Sequence, residues 1–348
     1  MLNKKNFFSK KRLLGVIITI TGLASIIRFF GGRKPSLKVL AYHRVLDQDE
    51  KQYLFDEDLI SVSTAEFDRQ VAYLAKHFDV KVLSEAVSQF SRNDNRNIVA
   101  ITFDDGFDDL YFNVFPILKK YGVSATFFLT TGLVGTRETL WPEYIAYAVK
   151  KGKGRSLDLS PLLFVENIEE GEGARRLINK LLVLFKSVED RERLILMDRL
   201  LEQLEKPSTQ ELEQSRMVTW EMVKEMHEYG IEFGSHTATH PVLSRLDESA
   251  LYEELSESKN VLEAMLSSPC KTIAYPVGGR DCYSDKVIDV VKSLEYKVGC
   301  SYRPGVNING RLDEYQIMRL HVESYTDFGW FVGQLVIPSL CVPNFEAS

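Results

Sequence analysis

Asn97-Ile-Val-Ala-Ile-Thr-Phe-Asp-Asp-Gly106 joins an apolar, β-branched run to two carboxylates and a glycine that stop it. Such a run reads as a strand buried on both faces, the kind that fills parallel sheets. Upstream, Leu37-Lys-Val-Leu-Ala-Tyr42 reads as another buried strand, ending in His43-Arg44-Val45, and a polar, acidic loop follows through Asp58. Ser63-Thr-Ala-Glu66 has the spacing of a helix capping box, with Phe67, Val71, Leu74 and Phe78 recurring at helical intervals after it. Downstream, Tyr111 to Tyr121 reads as a helix despite Pro116, and Ala125 to Leu129 as a strand. This alternation predicts an α/β fold built on a parallel sheet or barrel.

The rhythm changes between about 149 and 214. Lys150-Lys-Gly-Lys-Gly-Arg155 reads as a loop, and Ala174 to Glu205 is rich in Leu, Arg and Glu at helical periodicity, which predicts an inserted helical subdomain. Alternation resumes with a helix start at Thr219-Trp-Glu-Met222 and a short strand, Gly230-Ile-Glu-Phe-Gly234, leading into Ser235-His236. A helix over Leu251 to Leu266, a strand over Thr272 to Tyr275 and a helix over Asp285 to Leu294 follow. Val298 to Ser301 and Ile317 to Val322 read as the last strands.

The chain has 348 residues, 45% hydrophobic and 26% charged, enough for one large domain or two modest ones. Its net charge of -6 gives no basic face for a nucleic acid. Cys270, Cys282, Cys300 and Cys341 show neither metal-ligand pairing nor a disulfide pattern, which fits a reducing compartment. Five basic residues from Lys4 to Arg12 precede an apolar run from Leu13 to Ile27 that lacks signal-cleavage chemistry. This segment, 1–36, reads as a helix packed on the domain, a membrane-surface helix through residues 10–30, or a short spanning anchor. The expected location is cytoplasmic or at the cytoplasmic membrane face, with anchoring and an outward-facing domain as the alternative. The main domain is expected over 37–335, with a tail over 336–348.

Asp104 and Asp105 directly follow a strand, where parallel α/β folds carry their active sites, and neighbours there point in different directions. One can hold a metal while the other accepts a proton. Asp108 and Asp109 read instead as solvent-facing or helix-capping. His236 and His240 stand four apart in His236-Thr-Ala-Thr-His240, so a tight turn or helix puts both imidazoles on one face; Pro241 favours a loop. Asp105, His236 and His240 make three protein ligands and leave a position for water, with Asp104 to take its proton. In Ile273-Ala-Tyr-Pro-Val-Gly278, Pro276 has no amide hydrogen, but the Val277 amide, aimed by Gly278, can face an oxyanion.

These residues resemble the polysaccharide deacetylases, the NodB homology domain also classed as carbohydrate esterase family 4. The resemblance runs from about Leu37 to Val322 through Tyr42-His-Arg-Val45, Ile101-Thr-Phe-Asp-Asp-Gly106, Ala125-Thr-Phe-Phe128, Gly234-Ser-His-Thr-Ala-Thr-His240 and Ala274-Tyr-Pro-Val-Gly278. It implies a distorted (β/α)7 barrel. It also implies metal-dependent hydrolysis of acetamides on N-acetylated sugars, as in exopolysaccharide or cell-surface glycan modification. By it Asp104 is the base, Asp105, His236 and His240 are the ligands, and the Val277 amide faces the oxyanion. Tyr275 and Pro276 border the substrate.

Two departures matter. Many members hold the base with an arginine shortly before the Pro-x-Gly turn, where this chain has Lys271-Thr-Ile-Ala274. Arg319, on another strand, is the candidate for that role and is also counted with the substrate-bordering residues. Many members end in a Leu-x-His strand whose histidine is the general acid, whereas Leu320 and His321 are adjacent here. His43 therefore takes the acid role, as in the branch that includes the poly-N-acetylglucosamine deacetylases, with His321 as alternative; His77 and His227 read as surface residues. The expected cofactor is a divalent metal, zinc first, with cobalt, nickel or manganese accepted. An inactive glycan-binding protein and an O-deacetylase are the rival readings.

Overall fold

The computed structural model describes residues 36–47, 52–91, 98–342 and 346–347. The expected N-terminal helix falls outside them. Among the described residues no helix is long and apolar enough to cross a membrane.

In chain order the first strands are β1 (Ser36–Tyr42), β2 (Arg44–Val45), β3 (Ile60–Val62), β4 (Asp79–Lys81), β5 (Ile98–Phe103) and β6 (Thr126–Leu129). A hairpin, β7 (Ser156–Leu159) and β8 (Leu163–Asn167), precedes β9 (Glu232–Ser235), β10 (Thr272–Ala274), β11 (Val298–Ile308) and β12 (Ile317–His321). Seven of these, β1, β5, β6, β9, β10, β11 and β12, pair in parallel around one ring, and β4 adds in parallel beside β5. Because β1 bonds both β5 and β12, the sheet closes into a barrel, as expected. The distortion lies in β11, whose register shifts between Cys300 and Pro304 before its far end turns antiparallel to β1.

The local chemistry explains these elements. β5 is buried at every position, so its apolar run needs no polar alternation. Between the sheet and its helices Tyr42 stacks on Phe103 at 5.0 Å, Phe103 meets Phe127 edge-on at 5.3 Å, and Phe67 of the Thr64–His77 helix packs on both Tyr42 and Phe103. The Thr64–His77 helix starts where Ser63 accepts the Glu66 amide, and it buries Phe67, Val71 and Leu74. Glu66 turns to Gln70 instead of completing the box. Pro116 sits in the first turn of the Phe115–Tyr121 helix, where its missing N–H costs nothing.

The segment that breaks the rhythm has a core of its own. The helices Glu172–Ser187 and Asp190–Gln203, together with the β7–β8 hairpin, pack on the Trp141–Lys151 helix. Leu157, Ile145, Leu181, Phe185 and Leu200 are fully buried there. The hairpin left no mark in the helical periodicity. At the other end, Val336, Ile337, Cys341 and Val342 are buried in the main core, so residues 336–342 pack on the domain instead of trailing from it.

Asp109 corrects another expectation. It is 1% exposed, with Oδ1 accepting from Arg44 Nε at 2.9 Å and Oδ2 from the Val45 amide at 2.8 Å. Arg44 is also buried and donates to Tyr53 Oη and to the Gln214 carbonyl. A carboxylate can sit that deep because the guanidinium and an amide satisfy it. Asp108 pairs with the more exposed Arg216. Asp109→Ala is expected to cost about 3–5 kcal/mol, since it strands a buried guanidinium. Asp108→Ala should cost about 1 kcal/mol or less. Urea midpoints of the two variants check the contrast, and equal midpoints would refute it.

Candidate active site

The closed barrel brings the carboxyl ends of its strands to one rim, and each chemically active group stands just beyond a strand. The Asp104 amide still donates to the Tyr42 carbonyl at 3.0 Å, the last rung beside β5. Asp105 then turns with φ of 77°, and the Gly106 amide closes back on the Asp104 carbonyl at 3.0 Å. Three-residue turns with positive φ at the centre are rare and strained. Gly106 continues at φ 97°, a conformation that residues with a Cβ rarely adopt, and a Cβ there would also crowd Leu129 Cδ2 at 2.9 Å. This turn sends the two carboxylates different ways.

Asp105 faces the histidine pair. Its Oδ1 lies 3.4 Å from His236 Nε2 and 3.5 Å from His240 Nε2. Two ligands about 2.1 Å from one tetrahedral ion stand about 3.4 Å apart, so the spacing fits a shared cation. Asp105, His236 and His240 are all buried, and they are the group among the described residues that could hold a metal. His236 Nδ1 donates to the Ala274 carbonyl at 2.8 Å, which leaves Nε2 as the nitrogen turned toward Asp105. Burial lowers the His236 pKa, but its hydrogen bond to Asp105 and the nearby carboxylates outweigh that and raise it. Burial and His236 push His240 down to about 3, leaving it a neutral donor. The segment is a loop, as Pro241 suggested. Thr237 and His240 take φ of 66° and 63°, and the His240 amide donates to Thr237 Oγ1 at 3.0 Å. The His240 carbonyl accepts from Trp141 Nε1 at 2.9 Å.

Asp104 faces Arg319. Nη1 and Nη2 donate to its two oxygens at 2.7 and 2.8 Å, while Nε holds the Ser301 carbonyl at 2.8 Å. Burial would push Asp104 up, yet Arg319 and His236 overcome it and keep its carboxyl below the ordinary range. Arg319 is fully buried and faces no cavity, which corrects its place among the substrate-bordering residues: every nitrogen is spent on Asp104 and its surroundings. It reaches Asp104 from β12, not from β10, the strand that leads into the Pro-x-Gly turn.

A cavity of about 270 Å³ opens over these groups, with His43, Asp104, Asp105, His236, His240 and Val277 in its walls. Val277 sits at φ 62°, and the Gly278 amide closes on the Pro276 carbonyl at 2.6 Å, a second strained three-residue turn. Gly278 is required, because a Cβ would lie 2.5 Å from the Tyr302 nitrogen. Tyr275 lines the cavity, but its ring stacks on Tyr283 and its hydroxyl donates to the Tyr315 carbonyl at 2.9 Å. Pro276 is buried and lines no part of the cavity, a second correction: the turn it opens swings it behind Val277.

The two candidate acids separate. His43 is partly exposed and lines the cavity. His321 lies outside it, stacked on Tyr302 at 3.7 Å, and burial with Arg319 pushes its pKa down to about 3. His227 is partly buried, with Nδ1 3.3 Å from the Ile231 carbonyl, and His77 packs on Tyr73. Tyr302, Glu323, Asp56, Asp58, Leu182 and Lys186 also wall the cavity and were not singled out in the sequence. Glu323 follows a strand end, a usable signal; the others come from a bulged strand, a loop and the insertion, where spacing says nothing about the site.

Comparison with known proteins agrees with this geometry. The polysaccharide deacetylase family profile matches residues 91–156 and 192–299. The Bacillus subtilis protein YxkH, named as a polysaccharide deacetylase, is 21% identical over 276 residues, 78% of this chain and 67% of its own. The poly-beta-1,6-N-acetyl-D-glucosamine N-deacetylase of Staphylococcus aureus is 34% identical over 113 residues. That match spans 30% of this chain and only 39% of the staphylococcal enzyme. Among solved structures, the Streptococcus pyogenes deacetylase PplD superposes with a TM-score of 0.58 at 19% identity, over 88% of this chain and 100% of its own. IcaB from Ammonifex degensii gives 0.52 at 20% identity, over 86% and 98%. Sharing with them the fold, and matching the profile over half its length, the chain belongs to the polysaccharide deacetylase family, hydrolases of carbon–nitrogen bonds outside peptides.

Proposed function

We propose that this chain is a metal-dependent deacetylase that hydrolyses the acetamide of N-acetylated sugars in a glycan. The observation that carries this reading is the pairing of a free-standing ligand set, Asp105, His236 and His240, with a second carboxylate, Asp104, in the same cavity wall. A divalent cation held by that set would acidify water and polarise the acyl oxygen. Zinc suits the donors, and cobalt, nickel or manganese are compatible.

The remaining work falls to the chain. Asp104 takes the proton of the attacking water. Each carboxylate oxygen has two lone-pair positions, so an oxygen bonded to Arg319 can still accept. Arg319 keeps Asp104 ionised and holds its plane. The Val277 amide donates to the oxyanion that develops from the acetyl carbonyl. His43, which also lines the cavity, returns a proton to the departing amine. The short staphylococcal match supports a poly-N-acetylglucosamine-like substrate.

Asp104→Asn should lower kcat on an N-acetylglucosamine oligomer by about 10²–10⁴ while bound metal stays near the parent value. His236→Ala should lose both, and chelation followed by zinc or cobalt should remove and restore acetate release. Metal-loaded protein that releases no acetate from any N-acetylated or O-acetylated glycan would leave only a binding role. Arg319→Met should cost about 3–5 kcal/mol of stability, because it leaves Asp104 buried without its partner; a melting point equal to the parent would contradict the buried pair. His43→Ala should reduce kcat about 100-fold or more, and His321→Ala far less per metal-loaded molecule. The reverse order would move the acid role to His321.

A further inference from the structure

One wall of the cavity does not come from the barrel. Leu182 and Lys186, one turn apart on the Glu172–Ser187 helix, enter it from the insertion. The family profile passes over residues 157–191, so this wall lies in a stretch the family at large does not define. Its position is nevertheless firm. Phe185 is fully buried and stacks on Trp141, whose indole nitrogen donates to the His240 carbonyl. Arg175 on the same helix pairs with Asp58, and Lys150 pairs with Glu57, so the helix layer is tied to the acidic loop whose Asp56 and Asp58 also line the cavity. Lys186 is thus registered against a metal ligand through two packed rings and one hydrogen bond.

Its own ammonium is less well provided for. Lys186 is partly buried, burial lowers its pKa, and among the described residues it forms no hydrogen bond or ion pair. Cys282, Asp56 and Asp105, in that order, favour its charge, but it bonds to none of them. Asp56 already accepts the Asp58 amide at 3.0 Å, and Asp58 is held by Arg175. A cation suits the last turn of a helix, but an exposed position would satisfy that equally well. A partly desolvated ammonium without a partner is costly unless something else supplies the anion.

We propose that Lys186 is a specificity-determining residue that binds an anionic substituent, a carboxylate or a phosphate, carried by the acetylated glycan. This rests on the deacetylase reading for the reaction but not for the binding. A charge-assisted bond from a partly desolvated cation discriminates, because a neutral sugar leaves that cation unpaired. Lys186→Met keeps the apolar stem and removes the charge, Lys186→Gln keeps a donor, and Lys186→Arg restores the cation.

The test uses the full-length, metal-loaded protein with three N-acetylglucosamine oligomers of equal length: neutral, carboxylate-bearing and phosphate-bearing. Acetate release gives kcat and KM, and calorimetry gives affinity in an Asp104→Asn background. Lys186→Met and Lys186→Gln should lower kcat/KM on one or both anionic oligomers about tenfold or more beyond any loss on the neutral one. The change should fall mainly in KM, with Lys186→Arg recovering most of it. Whichever anionic oligomer shows the loss identifies the substituent. Equal losses on all three, or none, would overturn the proposal. If the parent turns over no oligomer, the deacetylase reading fails by itself, and calorimetry still decides: weaker binding of the anionic oligomers in Lys186→Met supports the proposal, and unchanged affinities overturn it.

Discussion

The bidentate bond from Arg319 to Asp104 constrains everything around the cavity. It buries opposite charges at the barrel's end, where each offsets the other's loss of water. Its geometry fixes the plane of Asp104 and leaves Asp105 as the carboxylate free to face the histidines. Arg319 is in turn held by the Ser301 carbonyl and approaches Thr102 Oγ1, so β5, β11 and β12 must keep their register for the pair to form. The closed sheet and the ionised carboxylate therefore support each other.

The backbone around the cavity is strained in the same places. Six non-glycine residues among those described have positive φ, and four of them, Asp105, Thr237, His240 and Val277, belong to this rim. Such conformations cost roughly 1–3 kcal/mol each and persist only where the surroundings over-determine them. Here the surroundings are visible. Glu254 accepts the amides of Ala238 and Thr239, Ser235 Oγ accepts that of Thr237, and Trp141 holds the His240 carbonyl. For Val277, a β-branched residue, the tight approach of Gly278 to Tyr302 plays that part. Side chains that must converge on one point leave the backbone little choice, and the strain is held by hydrogen bonds from neighbouring loops.

Much of this was legible in the sequence, for identifiable reasons. Uninterrupted apolar runs such as Ile98–Phe103 reveal strands buried on both faces, and polar residues that stop them mark the rim. The trio Asp105, His236 and His240 could be read because each follows a strand closely and the histidines stand four apart. Asp109 could not be read, since nothing in Asp108-Asp109 says which carboxylate Arg44 will bury. Pro276 was misplaced because a turn's composition does not state which of its residues faces outward. Lys186 was invisible, because a lysine in a helix rich in charge normally lies in solvent.

What the residues determined by themselves is local: strand against helix, the position of each strand's end, and which side chains can bind a cation or carry a proton. These follow from hydrophobic period, turn chemistry and the donor atoms of individual residues, none of which needs a distant partner. Only the tertiary structure decided that Arg319 rather than a residue near Lys271 grips Asp104, that His43 rather than His321 reaches the cavity, and that an inserted helix supplies a wall. Each of those is a contact between residues far apart in the chain. Such contacts depend on barrel closure and register, which pairwise spacing along a sequence does not encode.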